Sequence, residues 1–393
     1  YALLRMTLEA GGAAFIKWGQ WASTRYDVFP AQLCKELELL QCGAPEHSWR
    51  RTKEILERAY GETQLDEIFA WMDKTPIASG SIAQIHRAKL RNGPLGERPD
   101  DVNDEGRYVA VKVRHPGVVE ALRRDFAILA WIARATRNVE VLKPFQLEHT
   151  VQQFGVHMLQ QVDLTTEASN LQKFEKAFSL WGDVSFPVPV GGLATEEVLV
   201  ETFEDGAANA AAEAAAEMVP VENRALAAIG VKTLLKMLID DNFLHADLHP
   251  GNILVRLPEK NDGRGKTKIP SKPEIVILDT GLATELTPAH QASLAEFFQA
   301  IINWDGAGVA RNIIAFSSNL QPSFDPESFT SDVTTAVRHF QDSTPRAGDC
   351  MAAIFETVQR HHVTLDPNVM VAVVTVMVLE GWQFRLDPSI NIL

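Results

Sequence analysis

The chain has 393 residues, of which 46% are hydrophobic and 22% charged, enough for more than one packed unit with a sizeable core. A formal net charge of −14 argues against general nucleic-acid binding, which depends on cations meeting phosphates, so a phosphate ligand here requires local positive charge or a metal. Cys34, Cys42 and Cys350 form no CxxC pair, which predicts reduced thiols rather than a disulfide or zinc framework.

Residues 1–70 read as helical. The first chemically unusual stretch is "FIKWGQWASTR", Phe15 to Arg25, where Lys17 lies among apolar residues ahead of Gly19 and Gln20. Phe15, Trp18, Trp21 and Phe29 could form an interfacial patch for peripheral membrane contact, or pack a helix onto the rest of the chain. Pro30 can open a helix with Leu33, Leu37 and Leu40 on one face. Ser48 can cap the next helix, with Glu54 and Arg58 as an i,i+4 pair and Gly61 as its stop.

Near Pro76 the texture changes. "PIASGSIAQIH" brings small residues and then alternation, and its Ala78, Ser79, Gly80 and Ser81 permit close approach of backbone to a ligand. A polar loop follows, then "YVAVKV", a strand carrying Lys112, so a hairpin with a long connection is expected. Apolar spacing predicts helices from Pro116 to about Asn138 and from Leu147 to Phe178, the latter carrying Glu167 in "TEASNL". "EVLVETF" reads as a strand containing Glu201 and Phe203 and ending in a hinge. The tract "GAANAAAEAAAEM" is a helix or an insertion with no evident function, and Leu226–Ile239 is an apolar helix. "ILV", a charged loop and the strand "EIVIL" precede a helical remainder from Pro288. The longest apolar run, Val369 to Leu379, has 11 residues, too short to cross a bilayer and suited to a buried helix. The chain starts without an initiator Met, so it is expected to be part of a longer protein whose targeting segment lies outside it.

Chemistry concentrates in "FLHADLHPGNILV", where Asp247 follows His245 by two positions and Asn252 lies five beyond Asp247. That is the H-x-D-x-x-x-x-N spacing of a kinase catalytic loop, in which the aspartate orients an attacking hydroxyl and the asparagine ligates Mg²⁺. Downstream, "VILDTG" delivers Asp279 at a strand end, with Gly281 allowing the turn, in the manner of the metal-holding D-x-G aspartate. Lys112 in "VAVKV" suits a phosphate-contacting lysine, and Glu167 is its candidate partner. There is no G-x-x-x-x-G-K-[ST] loop. Loop, strand lysine, helix glutamate, hinge, catalytic loop and Asp-x-Gly, in that order, predict an α+β, protein-kinase-like, two-lobed fold. Its parts are a helical extension (1–70), an N-lobe with inserted helices (71–204) and a helical C-lobe (205–393).

With these motifs the chain resembles the UbiB family of atypical kinases (the aarF-domain-containing kinases), and its mitochondrial members most closely. Lys17-Trp18-Gly19-Gln20 is similar to that family's K-x-G-Q motif, and "WASTRYDVFP" continues the pattern. The resemblance implies a helical extension over the cleft, with Lys17, Gly19 and Gln20 where a protein substrate would otherwise bind. It implies Ala78–Ser81 as the alanine-rich nucleotide loop, Glu201 to Phe203 as the hinge meeting adenine, and a catalytic set of Lys112, Glu167 and Asp247. Asn252 and Asp279 would hold Mg²⁺, with ATP or ADP as nucleotide. It further implies ATP-dependent support of ubiquinone or lipid metabolism, quinone-biosynthesis proteins or lipid as partners, and a mitochondrial setting, with a plastid as the alternative. Two departures stand out. Gln161-Val162-Asp163 replaces an E-x-D that answers the lysine motif, which leaves Asp163 as the acid available to Lys17, and Gly80 stands where quinone-related members carry alanine. Two other readings are a nucleotide-binding regulator without turnover and a phosphotransferase of the aminoglycoside or choline kinase type, whose catalytic loop "HADLHPGNIL" also resembles.

Overall fold

The computed structural model describes residues 1–11, 13–40, 46–91, 108–139, 147–204, 220–248, 250–256, 273–320, 324–341 and 347–386. Cys42, the polar loop before β4, the alanine-rich tract and the charged loop after residue 256 lie outside these.

Five helices come first: α1 (Ala2–Gly11), α2 (Ala13–Ser23), α3 (Ala31–Leu37), α4 (Trp49–Tyr60) and α5 (Glu62–Ile68). Pro30, at φ −56°, opens α3, and Leu33, Cys34, Leu37 and Leu40 bury its inner face. Gly61 ends α4 at φ 87°, a backbone region that costs glycine nothing. Ser48 occupies the N-cap of α4 but contributes no side-chain bond. The expected Glu54–Arg58 pair does not form. Glu54 binds Arg50 at 3.0 Å and Arg51 at 2.9 Å, while Arg58 reaches across to Glu197 at 2.7 Å, because α4 lies against the sheet that carries Glu197.

The N-lobe sheet runs in the order β1 (Phe69–Met72), β3 (Ala83–Leu90), β4 (Tyr108–Arg114), β7 (Val198–Thr202), β6 (Pro189–Ala194), with β2 (Ala78–Ser79) beside β1 on the same edge of β3. Strand β3 alternates strictly between buried and half-buried positions, as a strand with one covered face must. Ile55, Leu56 and Tyr60 of α4 pack with Val109, Val111, Val113, Val198 and Val200 on one face. The other face carries Lys112.

Helix α6 (Val118–Ala135) follows β4. The single helix expected from Leu147 to Phe178 is two, α7 (Leu147–Gln161) and α8 (Leu164–Phe178). The break falls at Asp163, whose carboxylate accepts the Thr165 N–H at 2.9 Å and the Thr165 hydroxyl at 2.6 Å. An aspartate that can cap a new helix competes with continuing the old one.

The C-lobe begins with α9 (Pro220–Leu235), which widens into a π turn over Lys236–Asp240. Two small ladders follow: β8 (Leu244–His245) with β11 (Ala283–Thr284), and β9 (Ile253–Arg256) with β10 (Glu274–Ile277), the latter extended by β5 (Val184–Ser185). Helices α10 (Pro288–Ile302), α11 (Gly306–Ala315), α12 (Pro326–Gln341), α13 (Ala347–Arg360) and α14 (Pro367–Leu386) complete the lobe, with β12 (Ser317–Asn319) paired to β13 (Thr364–Leu365). The apolar run from Val369 is the core of α14: Val369, Met370, Ala372, Val373, Val376 and Leu379 are buried. No helix among the described residues is long and apolar enough to cross a membrane. The architecture is α+β and two-lobed, with α8 shared. Its Phe174 stacks on Phe186 and abuts Phe243, while the helix also touches β6 and β7.

The extension is tied to both lobes. Arg25 is buried, makes a bidentate pair with Asp27 at 2.8 and 2.7 Å, and donates to Gln153 of α7 at 2.8 Å. Asp27 also accepts the Leu365 N–H at 3.1 Å, reaching β13 of the C-lobe. Phe15, Trp18, Trp21 and Phe29 therefore do not form an outward interfacial patch. They pack inward against Phe126, Phe154 and Leu147, because their helix is sandwiched between α3 and the α6–α7 pair. The exposed apolar side chains are elsewhere, with Trp131 of α6 68% exposed.

Candidate active site

Lys112 lies in the middle of β4, opposite Ile85 on one side and Leu199 on the other. Its ammonium is buried and donates a short hydrogen bond to Glu167 of α8. Glu201 of β7 lies 3.6 Å away on the other side. Strand geometry explains this second acid. Positions directly opposite share a face, so Ala110↔Glu201 and Lys112↔Leu199 put Glu201 on the lysine's face. Glu201 thus belongs to β7 with its side chain turned to Lys112, rather than to the connector after the strand. Its Oε2 is buried without a partner. Phe203, just past β7, gives its N–H to Tyr108 O at 3.2 Å, and its ring lies under Arg87.

Burial alone would lower the pKa of Lys112, but Glu167, Glu201 and Asp279 outweigh it and hold the ammonium well above its ordinary value. Burial raises both Glu167 and Glu201, only partly offset by Lys112.

The floor of the cleft comes from the two C-lobe ladders. The β9–β10 register places Ile253 opposite Ile277, and the Leu278 N–H donates to Asn252 O at 2.8 Å. Asn252 and Asp279 therefore flank the same end of one hairpin. Asn252 donates its amide N–H to Asp247 O at 3.0 Å, which fixes the amide orientation and leaves Oδ1 as its remaining acceptor. His245 is buried. Its Nδ1 accepts the Asp247 N–H at 3.2 Å and its Nε2 faces Leu278 O at 3.3 Å, so it braces the catalytic loop against the Asp279 strand. Burial lowers its pKa.

Asp279 adopts φ 51°, an uncommon left-handed backbone for a non-glycine residue, and Oδ1 accepts the Gly281 N–H at 3.3 Å. A Cβ on Gly281 would stand 3.2 Å from that oxygen. Thr280 is buried: Asn170 of α8 donates to its carbonyl at 2.8 Å, and its hydroxyl reaches Glu167 O at 3.4 Å. Where a kinase-like chain would dock a phenylalanine, this one uses hydrogen bonds to fasten the Asp279 turn to the helix that carries Glu167. Sequence reading missed this lock, since Asn170 and Thr280 are each ordinary residues 110 positions apart.

Lys17 is half-buried on α2, and its charge acts on Asp279. Enclosure pushes that carboxyl up, but Lys112, Lys17 and His245, with the Gly281 N–H, hold it below the ordinary carboxylate range. Gly19 and Gln20 have other duties. A Cβ on Gly19 would meet Leu40 Cδ1 at 2.2 Å and Leu8 Cδ1 at 3.1 Å, and Gln20 donates to Leu40 O at 3.0 Å. The motif therefore presents its lysine to the cleft and uses its glycine and glutamine to seat α2 on α1 and α3. Asp163, expected to be available to Lys17, is engaged as the α8 cap, and the Gln161 Oε1 is buried without a partner. Ala78–Ser81 form β2 and the turn into β3, closed by Gly80 N–H to Ala83 O at 2.9 Å.

The ABC1 atypical kinase-like domain matches residues 39–313. The chain is 29% identical over 460 residues to abkC of Dictyostelium discoideum, described as a "Probable serine/threonine-protein kinase", spanning 100% of this chain and 63% of that one. It is 30% identical over 433 residues to YPL109C, a mitochondrial ABC1 family protein of Saccharomyces cerevisiae, spanning 99% and 66%. A mitochondrial ABC1 family protein of Schizosaccharomyces pombe, C21C3.03, is 29% identical over 446 residues, spanning 98% and 63%. The chain thus spans 63 to 66% of the length of these relatives. Among solved structures, Rv3197 of Mycobacterium tuberculosis, in complex with erythromycin, superposes with a TM-score of 0.54 at 18% identity over 87% of this chain and 80% of that one, a likeness of fold.

Proposed function

The chain belongs to the ABC1 atypical kinase-like family, and from that premise we propose that it binds ATP or ADP with Mg²⁺ between its lobes and works as an ATP-dependent phosphotransferase or ATPase. The observation that carries the reading is the convergence of a buried Lys112–Glu167 pair with Asp247, Asn252 and Asp279 on one cleft. Lys112 meets phosphate oxygens, Glu167 and Glu201 hold it in place, and Asp247 orients the attacking hydroxyl or water.

The donor set suits Mg²⁺. Asn252 Oδ1 and the Asp279 carboxylate are hard oxygen ligands, and the carboxylates of Glu167 and Glu201 lie near enough to Asp279 to repel it. No cluster of three or more metal-ligating His, Cys, Asp or Glu occurs among the described residues, in keeping with an ion that takes its other ligands from phosphate and water. When bound, such an ion neutralises phosphate charge.

The fungal relatives are mitochondrial proteins by name, which supports a mitochondrial setting for this chain. Support of ubiquinone or lipid metabolism is the role we propose there. A second reading, nucleotide binding with restrained turnover, is favoured by Lys17, whose charge competes with a metal ion for Asp279.

The test is ATP turnover by the purified protein with Mg²⁺, set against Asp247→Asn, together with nucleotide-dependent melting. Binding at 100 times Kd should stabilise the fold by about 2.7 kcal/mol. Turnover at or below the Asp247→Asn level, with stabilisation retained, selects the second reading. Absence of both defeats the first and the second alike.

A further inference from the structure

Behind the Ala78–Ser81 loop lies a chain of imidazoles that the nucleotide reading leaves unused. His115 follows Lys112 by three positions. Its N–H donates to Ile82 O at 2.8 Å, and its Nε2 is 2.9 Å from Gly80 O. A carbonyl only accepts, so Nε2 carries the hydrogen and Nδ1 of the neutral ring is an acceptor. That Nδ1 lies 2.7 Å from Nδ1 of His47, which must then donate, leaving His47 Nε2 to accept the Thr52 hydroxyl at 3.1 Å. Gln84 clasps the backbone of His47 from both sides: Oε1 accepts its N–H at 2.9 Å, and Nε2 donates to its carbonyl at 3.2 Å. His86, fully buried on β3, gives Nδ1–H to Asp73 O at 2.8 Å and accepts from Gln84 at 3.0 Å.

One consistent placement of hydrogens therefore runs from the segment entering α4, through His47 and His115, to the carbonyl of Gly80. It requires neutral imidazoles, and burial, with His115 and His86 beside it, brings His47 down to about 4. The loop is also held by β2, where Ala78 pairs with Ile85 and Ser79 with Gln84, and by Gly80 N–H to Ala83 O. It is short, Ala78 and Gly80 are exposed, and a Cβ on Gly80 would meet only Ala83 O, at 3.5 Å.

We propose that His115 and His47 are positioning residues for the nucleotide loop, holding Gly80 at a fixed height over the cleft and coupling the loop to the segment that leads into α4. This rests on the reading of Ala78–Ser81 as the phosphate-covering loop. Neither histidine touches the nucleotide in this scheme. Both act through the Gly80 carbonyl.

The test compares the parent chain with His115→Ala, His115→Gln and His47→Ala. Three quantities are read: hydrogen exchange of a peptide spanning 77–84, KM and kcat for Mg·ATP, and the unfolding midpoint. Loss of the His115–Gly80 hydrogen bond should speed loop exchange by up to about tenfold in His115→Ala and raise KM by a similar factor, with kcat changed less than about twofold. His115→Gln, whose amide can donate to the same carbonyl, should recover most of both effects. His47→Ala should speed loop exchange although His47 does not contact the loop. A lowered midpoint with loop exchange and KM at parent values overturns the proposal, as does a glutamine variant no better than alanine. If the parent neither binds nor turns over nucleotide, the nucleotide reading fails. The exchange arm then decides alone, and unchanged exchange in His115→Ala overturns the positioning role.

Discussion

Replacing Lys112 with methionine would leave Glu167 and Glu201, 5% and 4% exposed, buried without the cation they share. Each can escape by taking a proton. At about 1.4 kcal/mol per pH unit, keeping a proton at pH 7 on a group whose ordinary value is 4.5 costs about 3.4 kcal/mol, a ceiling on the penalty per carboxyl. We therefore expect Lys112→Met to lower stability by ~3–5 kcal/mol at pH 7, in the range found when one partner of a buried pair is removed. The sign with pH follows from the proton count. The folded-state values of both acids lie above the unfolded value, so the folded variant binds more protons than the unfolded chain. The loss is absent below about pH 4.5 and grows as pH rises towards the folded-state values. Urea unfolding of parent and variant at pH 5, 6, 7 and 8 should show a gap that narrows on going from pH 7 to pH 5, by up to about 1.4 kcal/mol per unit for each carboxylate that Lys112 keeps ionised in the parent. Adding Glu167→Gln should restore much of the loss. A gap independent of pH would refute the reasoning, because it would mean that Lys112 contributes packing rather than charge.

Asn170→Ala removes the bond to the Thr280 carbonyl and should cost ~1–3 kcal/mol, with a larger proportional loss of ATP turnover than of nucleotide affinity, read by steady-state kinetics beside calorimetric titration. Gly19→Val should destabilise by ~1–3 kcal/mol through its clash with Leu40, while Lys17→Ala leaves the unfolding midpoint within about 1 kcal/mol of the parent and changes nucleotide handling; denaturant melts with nucleotide titrations separate the two. Arg25→Ala strands the Asp27 carboxylate in the interior and should cost ~3–5 kcal/mol, visible as a lowered denaturant midpoint.

The chemistry of this chain was legible because it is written at short range. His245, Asp247 and Asn252 lie within eight residues, Asp279 follows one apolar strand, and Lys112 is centred in another, so spacing alone picked out the candidate groups and their order. Helix limits were legible where a residue is unusual in its backbone freedom, as at Pro30, which fixes φ, and Gly61, which enters positive φ without cost. They were not where two local preferences compete. The run from Leu147 reads as continuous by periodicity and is cut by the capping power of Asp163.

What the sequence determined by itself was a candidate set of functional groups and the α+β, two-lobed order of elements that carries them. Only the tertiary structure decided their partners. Glu201 became a partner of Lys112 because strand register chose its face. Phe15, Trp18 and Trp21 turned inward because α2 is covered on both sides, and amphipathic patterning is the same whether a helix meets lipid or protein. The Asn170–Thr280 lock and the His47–His115 relay join positions 110 and 68 residues apart. A hydrogen bond is specified by position in space to within a few tenths of an ångström, and local sequence holds no record of which distant backbone carbonyl will arrive there.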